Sequence, residues 1–274
     1  MPELPDIVIL ARSMNDALQN RTILDVKVNQ PKVLNRSVQA FRRTMIGRTF
    51  LSSQQRGKWV LAILSDDWTM AFNLGMGGQI RLHSATEVSD PKRERVVFTL
   101  DTDEQVWVHF SWFGQVHVIP PGKLKEHPQL STLGIEPLSE EFTAEKLAMM
   151  LNGRRGRIKS YLLDQRFIAG IGNVYVQDIL WYARLHPNRK ANTLKSDDVT
   201  RLHRAVRLVL QQGIKWGPGP GEQDIWGNQG SWKEVKGYPK VGYRTGEECP
   251  ECGETIEELR VGSTTSYICP RCQT

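Results

Sequence analysis

The sequence predicts a multidomain α+β protein, in which an N-terminal antiparallel β-sandwich with flanking helices is followed by a C-terminal helical lobe and a small four-cysteine ribbon. Three observations lead to this fold class. Short β-branched and aromatic segments, separated by polar turns, fill residues 22–119. Helical periodicity dominates residues 140–215, and all four cysteines follow residue 248.

Size and charge limit the possible classes of function. The chain has 274 residues, enough for two cores, and its 39% hydrophobic content is that of an ordinary globular protein. The formal net charge of +6 suits a polyanionic partner, although such a balance also arises without one. The sequence has no apolar run near the roughly 18–20 residues of a membrane span, and its start lacks signal-peptide features. We therefore expect a cytoplasmic protein without a membrane partner, in a reducing compartment.

The N-terminal region begins with an amphipathic helix, predicted over residues 6–18. Its apolar residues recur at spacings of three and four: Ile7, Leu10, Ala11, Met14 and Leu18. The strands predicted after it occupy residues 58–64, 95–100, 105–110 and 115–119. Residues 120–122, Pro-Pro-Gly, end this region and lead into a linker. Short antiparallel strands of this kind form a sandwich or a barrel.

The second half is predicted to contain four helices, over residues 140–152, 157–166, 174–185 and 197–215. Ser196 suits the N-cap of the last helix, since Asp197 and Asp198 then lie in its first turn. Residues 217–221 alternate glycine with proline and break regular structure. The expected domains are therefore residues 2–125, 135–216 and 241–274, with a loop or linker region at 217–240.

The cysteines form two Cys-x2-Cys pairs, Cys249 with Cys252 and Cys269 with Cys272, separated by sixteen residues. Two such pairs can surround one Zn²⁺ tetrahedrally, with residues 257–259 and 266–268 as hairpin arms between them. Four buried thiols without a metal are the alternative, which leaves the spacing without a purpose. Because protein fills all four coordination positions, the predicted zinc is structural, and so short a tail depends on it for folding.

A turn with two glycines, Gly170 and Gly172, runs into a predicted helix that begins near Asn173. Free amides at a helix start face anions, and glycine lets a phosphate approach the backbone closely. Lys159 lies upstream, and several arginines surround the region. The residues alone equally allow a tight helix–helix turn with a solvated basic face.

Ordered motifs extend over nearly the whole chain. They read MPELP at residues 1–5, RGK at 56–58, LGMGG at 74–78, FG at 113–114, LGIEPL at 133–138, DQRFIAGIGNVY at 164–175 and RLHP at 184–187. With the cysteine tail, they resemble the formamidopyrimidine-DNA glycosylase and endonuclease VIII family, of which the chain would be a divergent member. The resemblance implies a helix–two-turn–helix in the helical lobe and a zinc finger at the C-terminus.

The resemblance also implies a catalytic nucleophile, Pro2, once Met1 has been removed. A terminal amine has a pKa of about 7.7–8.0, far below the value of about 10.4 for lysine, so much of it is unprotonated at neutral pH. Its attack on C1′ of an everted nucleotide expels the base and gives a Schiff-base intermediate, and β-elimination, with or without δ-elimination, then cuts the strand. Glu3 matches the family's acid/base residue, and Lys58 the lysine that holds the lesion phosphate.

Phosphate-binding positions of the family fall on Lys159 and Asn173 in this sequence, with Gly170 and Gly172 in the turn between them. The same resemblance therefore turns the glycine turn into a predicted DNA-binding element. These positions belong to the helical lobe, whereas the catalytic residues belong to the N-terminal region.

Several positions that face the base pair depart from the family pattern. Met76 and Phe113 match apolar residues that fill the gap left by an extruded base, but Trp112 replaces an arginine that usually contacts the opposite base. The phosphate-gripping arginine of the zinc hairpin corresponds to Thr264, and Asp6 replaces a glutamate. These departures leave the catalytic positions intact but weaken the case for an enzyme specific for 8-oxoguanine opposite cytosine.

Aromatic residues also occupy residues 217–236, the region where the family reads the extruded base. Trp226 and Trp232 could stack on an unusual lesion or on single-stranded DNA, or they could pack a loop that has little core of its own.

Together these features predict a bifunctional DNA glycosylase and abasic-site lyase of base excision repair, which acts as a monomer on damaged double-stranded DNA. An alternative from another class is a DNA-damage binding protein that has lost turnover. A third, a zinc-ribbon RNA-binding factor, requires only the tail and the charge and leaves the β region unexplained.

Overall fold

The computed structural model describes residues 1–232 and 239–274 and contains two compact units. The first unit comprises Met1–Thr132 and Gly217–Gly230, and the second comprises Leu133–Trp216 and Ser231–Thr274. This division differs from the one predicted. Residues 217–230 join the first unit, and the cysteine ribbon joins the helices. Of the predicted loop at 217–240, residues 233–238 lie outside the described residues.

The first unit is built on two four-stranded antiparallel sheets, which confirms the predicted β-sandwich. One sheet has the order β1-β6-β7-β5, with strands Ile23–Val28, Glu94–Leu100, Glu104–His109 and Gln79–Ser84. The other has the order β2-β3-β4-β8, with strands Phe50–Arg56, Trp59–Leu64, Thr69–Asn73 and Gln115–Ile119. Inward-facing side chains of both sheets form one apolar core, which includes Phe72, Val96 and Phe98.

Two helices flank the sheets, α1 (Leu4–Leu18) and α2 (Val38–Met45). The predicted apolar stripe of α1 is buried in the same core as the strands. The helix begins two residues earlier than predicted because Pro5 suits a first helical turn, and the Asp6 carboxylate accepts a hydrogen bond from the Glu3 amide at 2.8 Å. This start fixes the position of the first residues of the chain.

The second unit contains α3 (Ala144–Leu151), α4 (Ile158–Leu163), α5 (Tyr175–Tyr182) and α6 (Ser196–Trp216). They share an apolar core that includes Ile179, Leu202 and Val206. The first three helices are shorter than predicted, since local capping ends them. Thr143 caps the start of α3 by accepting a hydrogen bond from the Lys146 amide, for example, and Arg184 adopts a left-handed conformation just beyond α5.

The cysteine ribbon contains one antiparallel hairpin, β9 (Glu257–Val261) and β10 (Thr264–Ile268). Both arms are longer than predicted, because the tight turn at Gly262 and Ser263 lets pairing continue to Val261 and Thr264. In the part of the chain that the structure describes, no helix is both long and apolar enough to cross a membrane.

Candidate active site and nucleic-acid interface

The predicted catalytic residues Pro2 and Glu3 are both buried where α1 begins, and Glu3 is 3% exposed. Asp6, one turn later, joins two segments. Its Oδ2 accepts a hydrogen bond from the Glu3 amide, and its Oδ1 accepts one from the Gly219 amide at 2.7 Å. Burial raises the pKa of Asp6, an effect that both hydrogen bonds oppose. The N-terminus is therefore held between its own helix and the segment Gly217–Gly230.

Lys58 lies in the tight turn between β2 and β3, where Gly57 has a φ of 56°. Burial lowers the pKa of its ammonium, and the negative charges of Glu3 and Asp6 raise it in part. The structure thus brings Lys58 close to Glu3 and Asp6 in one cluster of charged groups, and Pro2 is buried next to Glu3 in the chain. Asp6 belongs to this cluster too, although the sequence marked it only as a departure from the family pattern.

Glu222 is a member of this cluster that sequence reasoning missed. Its Oε1 lies 3.6 Å from the Met1 amine, and its side chain is 15% exposed. Burial and the negative charge of Asp6 raise the pKa of Glu222 to about 7. No periodic pattern marks this glutamate, since it follows a glycine–proline run that predicts only irregular structure.

Three predicted DNA-contacting side chains project from two loops that are bonded together. The Met76 amide donates to the Trp112 carbonyl at 2.8 Å, and the Ser111 amide donates to the Met76 carbonyl at 2.9 Å. Met76, Trp112 and Phe113 are 47%, 65% and 79% exposed, so the two bonded loops present three large apolar groups to solvent. Exposure of this kind marks an interaction surface.

The close approach of these loops depends on Gly75. A Cβ at this glycine would lie 2.0 Å from the Trp112 carbonyl oxygen, and its φ of 54° is one that other residues rarely adopt. Phe113 itself has a φ of 60°. A strained residue that carries a fully projecting ring is typical of a functional position.

In the second unit, the glycine turn is internally bonded. The Gly170 amide donates to Oε1 of Gln165 at 2.8 Å, so this amide is occupied inside the turn and is not one of the free amides that we expected to face a phosphate. With a φ of 96°, Gly170 serves the turn's conformation. Gly172 is buried and its carbonyl accepts the Val176 amide as α5 begins. The role of both glycines in DNA binding stays a prediction.

Asn173 stands partly exposed at the start of α5, and Gln177 orients it. Nε2 of Gln177 donates to Oδ1 of Asn173 at 3.1 Å and to the Asn173 carbonyl at 2.9 Å. Because the amide oxygen of Asn173 already accepts a hydrogen bond from Gln177, the NH₂ group is the part of this side chain that can donate to an anion.

The same Gln177 also reaches β10 of the ribbon. Nε2 lies 3.2 Å from the Thr265 carbonyl, and Oε1 accepts the Tyr267 amide at 3.1 Å. Gln177 is 1% exposed, so these hydrogen bonds form in a dry environment. The position of Asn173 is thereby tied to the ribbon.

Lys159 is 1% exposed and its Nζ donates to the Thr265 carbonyl at 2.6 Å and to Oγ of Ser266 at 2.7 Å. Burial lowers its pKa to about 8. It lines a cavity of about 270 Å³ together with Ser160, Asp164 and Thr264. The ammonium is thus satisfied by β10, so its predicted phosphate contact stays a prediction.

The two tryptophans of the 217–236 region differ in environment. Trp226 is 45% exposed, and its carbonyl accepts a hydrogen bond from Arg81. Trp232 is 4% exposed and packs edge-on against Tyr175, with ring centroids 5.2 Å apart, in the core of the helical unit. Trp232 is therefore a packing residue, whereas the exposed Trp226 keeps stacking on a base as a prediction.

The sulfur atoms of Cys249, Cys252, Cys269 and Cys272 lie within 4.8 Å of one another. The distances are 3.9 Å between Cys249 and Cys272 and 3.4 Å between Cys252 and both Cys269 and Cys272. A tetrahedral Zn²⁺ with bonds of about 2.3 Å requires sulfur–sulfur separations near 3.8 Å, whereas a disulfide requires about 2.05 Å. The residues fit one structural zinc, as predicted.

Three family models match the chain. The formamidopyrimidine-DNA glycosylase N-terminal domain matches residues 1–116, the H2TH domain of the same glycosylase matches residues 133–222, and a zinc finger found in FPG and IleRS matches residues 246–274.

Curated relatives match over the full length. The formamidopyrimidine-DNA glycosylase of Chloroflexus aurantiacus is 38% identical, with 100% of this chain and 98% of the relative covered. The Bacillus subtilis protein of the same name is 33% identical, with 100% and 99% covered.

Among solved structures, a Lactococcus lactis Fpg in complex with DNA that contains an oxidised pyrimidine superposes with a TM-score of 0.91, at 26% identity and full coverage of both chains. A complex of Lactococcus lactis Fpg with DNA that contains an abasic site gives a TM-score of 0.91, with 99% of each chain covered.

Proposed function

Because the chain belongs to the formamidopyrimidine-DNA glycosylase family, we propose that it is a bifunctional DNA glycosylase and abasic-site lyase of base excision repair, acting on damaged double-stranded DNA. The observation that carries this proposal is the buried cluster at the start of α1, where Pro2 and Glu3 share the environment of Lys58.

The nucleophile in this proposal is the secondary amine that Pro2 gains when Met1 is removed. Its nitrogen attacks C1′ of the damaged nucleotide, the bond to the base breaks, and the opened sugar remains linked to the enzyme as an iminium ion. The positive charge acidifies the neighbouring sugar carbon, and loss of that proton expels the phosphate. Glu3, adjacent to the nucleophile, is the group that donates and removes protons at the sugar.

The remaining charged and apolar groups hold the DNA. Lys58 supplies a cation for the phosphate beside the lesion, and Asn173 supplies a donor for a second phosphate. Met76, Trp112 and Phe113 fill the space that the everted nucleotide leaves, because exposed apolar side chains offset part of the lost stacking. Eversion is required since the enzyme cannot reach C1′ inside the duplex.

The zinc is structural in this proposal, because four thiolates leave no open coordination position. The zinc would fix the ends of the hairpin formed by β9 and β10, and β10 in turn makes hydrogen bonds with Lys159 and Gln177. The metal therefore supports the DNA-binding residues and takes no part in the reaction.

We assign the catalytic role and the insertion of apolar side chains into the duplex to residues 2–125, further DNA binding to 135–216 and 241–274, and contact with the extruded base to the 217–240 region, apart from the buried Trp232. The solved relatives are complexes with an oxidised pyrimidine, with formamidopyrimidine-dG and with an abasic site. On that basis oxidised bases are the proposed substrate class. One pocket serves one nucleotide, so we propose a monomer that works in the cytoplasm.

Borohydride trapping on a duplex with one abasic site tests this function. The wild-type protein is expected to form a covalent adduct whose mass equals protein without Met1 plus the opened sugar strand. Pro2→Gly is expected to lower the yield of adduct, and a protein with Met1 retained is expected to give none. Tight binding of the wild-type protein without any adduct contradicts the proposal and leaves a damage-binding protein.

A further inference from the structure

Glu222 adds a third carboxylate to the site, and nothing in the proposed mechanism uses it. We propose that Glu222 is the proton acceptor that converts the Pro2 ammonium into the nucleophilic amine. This inference rests on the proposed function, because it assigns a further residue to the same reaction. It begins from the ion pair between Glu222 and the amine of Met1, at 3.6 Å.

The segment that carries Glu222 is fixed on both sides of it. The Gly219 amide donates to Asp6 at 2.7 Å, and the Glu222 amide donates to the Gly219 carbonyl at 2.9 Å. Three residues later, the Ile225 amide donates to Oγ of Ser13 at 3.2 Å, and the Ile225 side chain is fully buried in the core of the first unit. The carboxylate is therefore presented to the start of α1 by a backbone that is tied to α1 twice.

Removal of Met1 changes what this carboxylate faces. The nitrogens of Met1 and Pro2 are separated by three covalent bonds, a path of about 4.3 Å, so the new amine forms close to the one that Glu222 contacts. The space that Met1 occupied is vacated at the same time. A glutamate side chain, with its rotatable bonds, can then reach the Pro2 nitrogen without movement of its backbone.

The charges around this position distinguish Glu222 from its neighbours. It faces Asp6 and Glu3 of α1 as well as the terminal amine, while Lys58 faces the same two acids. Asp6 accepts one backbone hydrogen bond on each of its oxygens, so its carboxylate is held by the Glu3 and Gly219 amides and is not aimed at the terminal amine by any contact of its own. Glu3 is engaged at the sugar in the proposed reaction. Glu222 remains as the carboxylate directed at the amine.

The acid strengths agree with this assignment. Burial and Asp6 bring the pKa of Glu222 to about 7, close to the ordinary value of about 7.7–8.0 for a terminal amine. Proton transfer between groups of similar pKa is nearly balanced in free energy, which is the condition that favours general base catalysis near neutral pH.

The step is a simple proton transfer. The Pro2 ammonium loses one proton, and the Glu222 carboxylate gains it and becomes a carboxylic acid. The lone pair left on nitrogen attacks C1′. The proton on Glu222 is then returned to solvent or to the next amine that forms when the iminium ion is hydrolysed.

The test is the rate of reductive trapping on an abasic duplex, measured across the neutral pH range for the wild-type protein, Glu222→Gln and Glu222→Asp. An abasic site needs no expulsion of a base, so the rate reports attack by the amine. The wild-type rate is expected to rise as the pH passes about 7, because Glu222 accepts a proton only when ionised. Glu222→Gln is expected to react up to about tenfold more slowly at neutral pH, because only the fraction of the amine that has already lost its proton to solvent can attack, and its rise is expected to move up toward the ordinary amine pKa of about 7.7–8.0. Glu222→Asp, which keeps a carboxylate, is expected to recover part of the rate and to keep the rise.

Glu87→Gln is the matched control, since it removes one exposed carboxylate of the first unit, which lies in the turn after β5 and accepts a hydrogen bond from the Ser84 amide. It is expected to trap at the wild-type rate, and all variants are expected to bind the duplex with unchanged affinity. A Glu222→Gln protein with the wild-type rate and the same pH dependence overturns the inference. So does equal slowing of both Glu222 variants with the pH dependence preserved, which would indicate a structural role. Failure of the wild-type protein itself to trap would instead reject the proposed function.

Discussion

Single side chains decide what this site can recognise, and Trp112 is the clearest case. It projects from the bonded loop pair beside Met76 and Phe113, where the resemblance places an arginine. An arginine offers five donors in a planar fork, whereas an indole offers one donor and a large apolar face. A tryptophan can therefore stack on any base, but it cannot read the edge of a particular one.

We expect the wild-type enzyme to discriminate weakly among the bases opposite a lesion, with cleavage rates that differ by less than about threefold. Trp112→Arg is expected to widen this spread to about tenfold or more, because one base-edge contact is worth about 1–3 kcal/mol of discrimination. The measurement is the single-turnover rate on four duplexes that carry the same lesion opposite A, C, G or T. Strong preference for one opposite base in the wild-type protein would show that another residue reads it.

The secondary-structure elements differ in how well they could be predicted from the sequence. The apolar stripe of α1 and the β-branched strands β3, β6, β7 and β8 were predicted because one buried face leaves a clear period. Strand β2, with the sequence FLSSQQR, was missed because its exposed and buried positions are both largely polar. The four cysteines were found from spacing alone, since zinc geometry demands it.

Two site residues could not be found in this way, and each owes its role to tertiary structure. Glu222 acquires its function only when Gly219 is bonded to Asp6, more than two hundred positions away in sequence. Gln177 lies on the buried face of α5, where a glutamine gives no apolar signal and its partners belong to β10. Motif spacing carries no information about contacts of this range.

Gln177 joins helix α5 to strand β10 by hydrogen bonds, so a change at this residue is expected to affect DNA binding. Gln177→Glu keeps the size of the side chain but replaces the donor NH₂ with an acceptor that faces the oxygens of Asn173 and Thr265. We expect DNA affinity to fall about tenfold, as expected when a buried donor is replaced and facing oxygens are left unpaired. The measurement is binding to a duplex with a stable abasic-site analogue.

Gln211→Glu is the control for this variant, because it adds the same charge on the exposed face of α6. If Gln177 acts through Asn173, the double variant Gln177→Glu with Asn173→Ala is expected to bind no more weakly than Asn173→Ala alone. Fully additive losses would show that the glutamine affects binding by some other route.

The molecule as a whole consists of two units with separate cores. All four zinc ligands belong to the second unit, as do Lys159, Asn173 and Gln177. The N-terminal cluster, including the Gly217–Gly230 segment, belongs to the first. The predicted zinc site and the proposed nucleophile thus belong to different compact units.

This separation predicts the effect of a zinc chelator. Loss of a structural zinc removes several kcal/mol from the unit that binds it, so we expect its melting temperature to fall by more than about 10 °C, while that of the first unit stays unchanged. Scanning calorimetry with and without chelator measures the melting transitions of both units. Addition of Zn²⁺ but not of Mg²⁺ is expected to restore the melting profile recorded without chelator. A common downward shift of the entire profile would mean that the two cores unfold together.

The paired hydrogen bonds between Met76 and the 111–112 backbone have one more implication. A loop backbone that is already ordered in the free protein loses little conformational entropy when its side chains enter a duplex. The binding energy can then go to opening the base stack. An intact base pair resists insertion of these side chains, whereas a base pair weakened by damage opens more easily. The rigid loops would therefore let the enzyme distinguish damaged from intact base pairs by their stability, before any base reaches the nucleophile.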